Sequence, residues 1–134
     1  MNITKLLLAT LASMVVMLGL GYLWHEVIMM DQYAEWSHAP EGWTTNIKYV
    51  AIGYLMLAGL MSYVYPYGYK GGSKIMEGFK FGAIMGMIWV LPHALIEVGS
   101  EYAPRMAVVY EAWHILEQGI GGMIIGLIYG KSTS

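Results

Sequence analysis

The sequence predicts an all-α integral membrane protein, a four-transmembrane-helix bundle with both termini on the cytoplasmic side. Three observations predict it. First, 57% of the 134 residues are hydrophobic and only 12% are charged, against about 25% charged in soluble domains. Second, the apolar residues gather into four long blocks. Third, the lysines fall mostly at one set of block ends. A helix needs about 20 mainly apolar residues to cross a bilayer. The blocks at about 4–29, 45–65, 74–98 and 104–130 each supply that length, so residues 1–134 read as a single transmembrane domain.

The first block, Ile3 to Met30, holds only Lys5, His25 and Glu26 as ionisable residues. Its apolar run is too long for a signal peptide and no small-x-small site closes it, so it is expected to be a retained first span. The second, Ile47 to Tyr65, holds only Lys48, with Thr44 or Thr45 placed to cap it. The third, Ile75 to Val98, carries Glu77 and Lys80 early and His93 and Glu97 late, after a possible Ser73 cap. Pro92 removes a backbone hydrogen bond there and predicts a kink that would splay the helices. The fourth, Met106 to Tyr129, carries Glu111, His114 and Glu117, with Pro104 suited to its first turn.

Lysines set the orientation. Lys5, Lys70, Lys74, Lys80 and Lys131 lie on one side, Lys48 and Arg105 on the other. The positive-inside rule then puts both termini and the 66–74 loop in the cytoplasm, and the 31–44 and 98–105 loops outside, as in a bacterial inner membrane. Tyr63, Tyr65, Tyr67 and Tyr69 at the inner boundary, with Trp36, Trp43 and Tyr102 at the outer, read as aromatic belts.

Composition also excludes function classes. With no cysteine, disulfides, thiolate chemistry and cysteine-ligated clusters are ruled out. A net charge of −2 and no cationic stripe leave no basis for nucleic-acid binding. There is no phosphate loop and no nucleophile elbow; Gly71-Gly72 reads as a turn among lysines suited to lipid headgroups.

Inside lipid, helices associate through small residues that allow close backbone approach. The third span reads Gly78-x-x-x-Gly82-x-x-x-Gly86, the fourth Gly122-x-x-x-Gly126-x-x-x-Gly130. Both rows lie toward the cytoplasmic end, so these spans are expected to press together there, or to serve contacts between copies.

Above the glycines the same faces turn polar. At about 100° per residue, Gly78, Gly82, Gly86, His93 and Glu97 share an arc of roughly 100°, while Glu111, His114, Glu117, Gln118, Gly122 and Gly126 share roughly 180°. The first span adds His25 and Glu26, with Tyr22 a turn earlier; the second adds Asn46 and Tyr49. An ionisable residue at the centre of a membrane helix costs about 2.5–3.5 kcal/mol, so such residues face partners, water or a cation. The expected arrangement sets His114 and Glu117 against His93 and Glu97, with Glu111 above them and His25 at the outer mouth.

Glu111-Ala-Trp-His114 has the Glu-x-x-His spacing that puts a carboxylate and an imidazole on one helix face, as in di-iron bundles, although those carry two such motifs. The metal-ligand candidates are therefore His93, Glu97, Glu111, His114, Glu117 and His25. Glu26, Tyr22, Asn46, Tyr49 and Gln118 stand behind them or at the mouth. Nitrogen and oxygen donors without sulfur suit iron, manganese, zinc or copper, and histidines on different spans would suit haem b. Three other readings use the same residues. One is a structural hydrogen-bonded network, in which no buried polar group should lack a partner. Another is a proton or small-solute pathway. The last is an accessory subunit, with a homo-oligomer or a larger membrane complex as partner besides the lipid bilayer.

Overall fold

The computed structural model describes residues 2–36, 46–98 and 104–130. Its elements are α1 (Ile3–Tyr22), a six-residue π-helix (Leu23–Ile28), α2 (Met30–Trp36), α3 (Ile47–Gly68), α4 (Lys74–Val98) and α5 (Pro104–Tyr129). Among the described residues there is no strand. Three helical stretches are long and apolar enough to cross a membrane: Ile3–Ile28, Ile47–Gly68 and Lys74–Ile96. α5, with 26 residues, matches them in length and is not among the three. Its deficit lies in Glu111, His114, Glu117 and Gln118, all of which are buried within the bundle.

Local chemistry explains the ends. Asn2 caps α1 by accepting the Lys5 amide, and Asn46 caps α3 by accepting the Lys48 amide. Asn46 thus does the work expected of Thr44 or Thr45, which lie outside the described residues. The Ser73 hydroxyl accepts from the Met76 amide at the start of α4, and α5 opens on Pro104. α4 continues unbroken through Pro92, as α3 does through Pro66. The first span differs more from expectation. It leaves α-helical geometry at Leu23, and the chain then starts a short helix, α2, where a loop was expected.

α5 organises the packing. α4 lies along it in the most extensive contact of the molecule, while α1 packs on both α3 and α5. The α4–α5 contact is backbone on backbone. A Cβ at Gly82 would strike the Gln118 carbonyl; one at Gly78 would strike the Gly122 carbonyl; one at Gly126 would strike the Lys74 carbonyl. At Gly86 a Cβ would come within 3.0 Å of the Ile115 Cα. No side chain larger than hydrogen fits at this spacing.

Around this contact Ala9, Met17, Ala58, Met61, Tyr65 and Ile125 form the core. Ser13, fully buried, donates to the Ala9 carbonyl at 2.6 Å and so satisfies itself within its own helix. The outward faces carry large aliphatic side chains: Leu7, Leu8, Leu11 and Val15 on α1, Ile52, Leu55, Met56 and Leu60 on α3, Ile84, Ile88, Leu91 and Leu95 on α4. Small and polar residues inside with aliphatic ones outside invert the soluble pattern and match a hydrocarbon solvent. The tyrosines at the end of α3 divide by helical spacing. Tyr63 and Tyr67 are exposed as a belt requires, whereas Tyr65 is 1% exposed and packs on Tyr69, Phe81 and Tyr129 as core. Trp43 and Tyr102, placed in the outer belt by sequence, lie outside the described residues, as does the side chain of Trp36.

Lys5 reaches the Tyr129 carbonyl at 3.4 Å, and Gly130 lies against Lys74. The start of α1, the start of α4 and the end of α5 therefore share one end of the bundle. His25, His93 and His114 lie toward the other.

Candidate functional site

The polar end is built on α5, which buries four polar side chains within two turns. Glu117 and Gln118 are fully buried, Glu111 is 3% exposed and His114 is 5% exposed. Glu117 turns toward α1 and α3. Its Oε1 accepts from the Tyr54 hydroxyl at 2.8 Å, and its Oε2 lies 3.0 Å from His114 Nδ1, one turn back on the same helix. Gly21 makes this possible. A Cβ there would strike the Tyr54 hydroxyl and come within 2.9 Å of Glu117 Oε1. A glycine, a tyrosine and a carboxylate from three helices thus meet at one point.

The Tyr54–Glu117–His114 chain has a chemical consequence. A carboxylate accepts only, so the bond from Nδ1 is made by an N–H, and the neutral imidazole then carries its lone pair on Nε2. His114 Nε2 is buried and finds no hydrogen-bond partner among the described residues.

The π-helix brings His25 to the same place. Its ring centroid lies 5.6 Å from that of His114, 5.0 Å from Tyr110 and 5.3 Å from Tyr33. α2 folds back to supply Tyr33, whose hydroxyl accepts from the Trp24 indole N–H at 3.0 Å. Burial raises the Tyr33 pKa above its ordinary value, and the Trp24 bond pulls the other way. Tyr110 packs edge-on against His114 at 4.6 Å, Trp89 of α4 approaches it at 5.4 Å, and Trp24 stacks on Trp113 at 4.3 Å. His25 Nε2 is also buried without a partner among the described residues. π-helical turns are rare and concentrate at functional sites.

One turn from His114, Glu111 Oε1 lies 3.0 Å from His93 Nδ1 on α4. His93 is half exposed while Glu111 is buried, and Glu111 Oε2 has no partner among the described residues. Neither polar atom of the Gln118 amide has a partner among the described residues. The buried set is therefore hydrogen-bonded on one side and, among the described residues, unpartnered on the other.

This pairing corrects the expected one. His93 meets Glu111, and Glu117 faces α1 and α3 rather than α4. The reason is angular: Glu117 sits six residues beyond Glu111, about 600° or two-thirds of a turn past a whole number of turns. Two carboxylates so placed serve different neighbours. The Glu97 side chain lies outside the described residues. Tyr22, Glu26, Asn46 and Tyr49 are on exposed surface, and Asn46 is occupied as a cap. Among the described residues no three His, Asp or Glu side chains gather closely enough to enclose a metal ion.

Four residues of the site were not candidates from sequence: Tyr54, Gly21, Tyr33 and Tyr110. Tyr54 had a signal, since it begins the stripe Tyr54–Ala58–Met61–Ser62–Tyr65 of small, polar and aromatic residues within an apolar helix. Gly21 is legible only through the partner it admits. No family model, curated protein or solved structure matches the chain.

Proposed function

We propose that the chain is a four-span membrane protein, with α5 as the fourth span and both termini cytoplasmic, whose polar outer end binds a cofactor. The observation that carries this reading is the set of buried polar atoms left unpartnered on one side of α5: His114 Nε2, Glu111 Oε2 and both amide atoms of Gln118. Each unpaired buried group costs about 1–3 kcal/mol; the hydroxyls of Ser62, Tyr65 and Tyr129 are left so as well, but among the described residues this cluster alone gathers imidazole, carboxylate and amide. Nitrogen and oxygen donors suit iron, manganese, zinc or copper. Haem b is the less apt guest, since Tyr110 packs on both His25 and His114 and fills the space a macrocycle would need. Elemental analysis and an absorption spectrum of the purified protein test the reading. Bound metal or a Soret band that is lost in His114→Ala supports it; protein carrying neither overturns it. A cysteine at Ser132 labelled only from the outer face would overturn the orientation.

A second reading, a proton pathway, is favoured by the continuous Tyr54–Glu117–His114 chain. Against it stands the glycine contact, where the backbones of α4 and α5 meet directly toward the Lys5 end. Proton flux into liposomes that disappears in Glu111→Gln/Glu117→Gln would establish this role in place of the first. Flux that survives the double substitution would remove it.

A further inference from the structure

The geometry points to His25 and His114 as the two protein ligands of one transition-metal ion of the zinc or copper class, with Glu117 and Tyr54 acting behind His114. This inference rests on the cofactor-binding reading above and narrows it to two residues and one ligand class.

Both rings bury an Nε2 that finds no hydrogen-bond partner among the described residues, and their centroids are 5.6 Å apart with planes inclined by 36°. Two imidazoles sharing an ion at about 2.0–2.1 Å have centroids roughly 5–6 Å apart for tetrahedral to trigonal angles. The rings therefore already stand at the separation a shared ion requires. The Nδ1 of His114 is bonded to Glu117, and Glu117 to Tyr54. Metal-binding histidines are oriented in this way: a carboxylate behind the ring holds the tautomer, turns the free nitrogen toward the ion and raises its basicity. Borderline ions take imidazole readily, whereas hard ions such as magnesium and calcium take oxygen.

Among the described residues no third carboxylate or imidazole joins the pair, so the two histidines leave coordination positions for other donors. Tyr33, Tyr110 and Trp89 ring the two histidines, so the ion would sit in an aromatic enclosure with few competing waters.

The test uses the full chain in detergent, purified without a polyhistidine tag, stripped with chelator and titrated with cobalt(II) as the optical stand-in for zinc. Wild type should take up one equivalent, with visible d–d bands that zinc displaces. His25→Gln and His114→Gln should each weaken binding at least tenfold. Tyr54→Phe should weaken it about 10-fold through the carboxylate, and Glu26→Gln, next to His25 on exposed surface, should leave it unchanged. Gel filtration and melting confirm that each variant is folded; a variant that fails to fold is replaced by the corresponding asparagine substitution. Binding lost in His114→Gln and unchanged in His25→Gln would overturn the two-histidine site while leaving the wider reading intact. A wild-type protein that takes up no cobalt, and as purified holds neither metal nor chromophore, would overturn both.

Discussion

The two halves of the α4–α5 pair solve opposite problems with the same two helices. Toward Lys74 the backbones touch through Gly78, Gly82, Gly122 and Gly126, and a Cβ at any of them would strike backbone. Toward His93 the same helices hold side chains apart, with Glu111 bonded across to His93 and His114 against Trp89. Close backbone packing supplies association where lipid offers no hydrophobic drive. Buried ionisable groups oppose it, because each must be desolvated. The contrast teaches that one half anchors the pair so that the other can bury ionisable side chains.

Gly82→Leu should break that arrangement most severely. The new side chain meets the Gln118 carbonyl directly, so α4 must move as a whole, at a cost above the about 1–3 kcal/mol of ordinary overpacking. Detergent melting should show a large loss, and His93 and Glu111 should come apart with it; wild-type melting would mean the glycine contact is not the anchor. Gly126→Leu should destabilise less, because Gly126 meets Lys74 in the first turn of α4, where the helix end can yield.

Tyr54→Phe sharpens the comparison from the polar side. It removes the donor to a fully buried carboxylate and should lower stability by about 1.5–3 kcal/mol, visible as a drop in Tm with the α4–α5 contact intact. The smallest effect belongs to the loop between α3 and α4. There the Glu77 carboxylate accepts from the Lys70 and Gly72 amides at 3.0 and 2.7 Å in an exposed setting. Glu77→Ala should cost about 1 kcal/mol or less, read as faster hydrogen exchange at those two amides. A large global loss there would move the anchor from the glycine rows to the loop.

Sequence reasoning reached the helical elements because twenty-odd apolar residues have few other uses. It also placed α5's polar residues inside, because their spacing keeps them off the lipid face. It did not reach the partners. Whether Glu117 meets His93 or Tyr54 depends on how α1 and α3 rotate against α5, and no pattern within one helix encodes that rotation. The π-helix was equally hidden, since Leu23–Ile28 carries neither proline nor glycine to mark a change of pitch. Tyr65 shows the limit from another side: a tyrosine near a span end reads as interfacial, and only the neighbouring Tyr69, Phe81 and Tyr129 reveal it as core.

The Trp24–Trp113 stack gives the molecule an optical property of its own. Two indoles 4.3 Å apart and within 3° of parallel are close enough for their ultraviolet transitions to couple, so the pair should absorb and emit as a unit. Because one ring belongs to the π-helix and the other to α5, that shared signal tracks the docking of the π-helix on α5. Any change in the pitch of Leu23–Ile28, on loading a guest or on transfer between lipids, would register as a change in near-ultraviolet dichroism without any label attached to the chain.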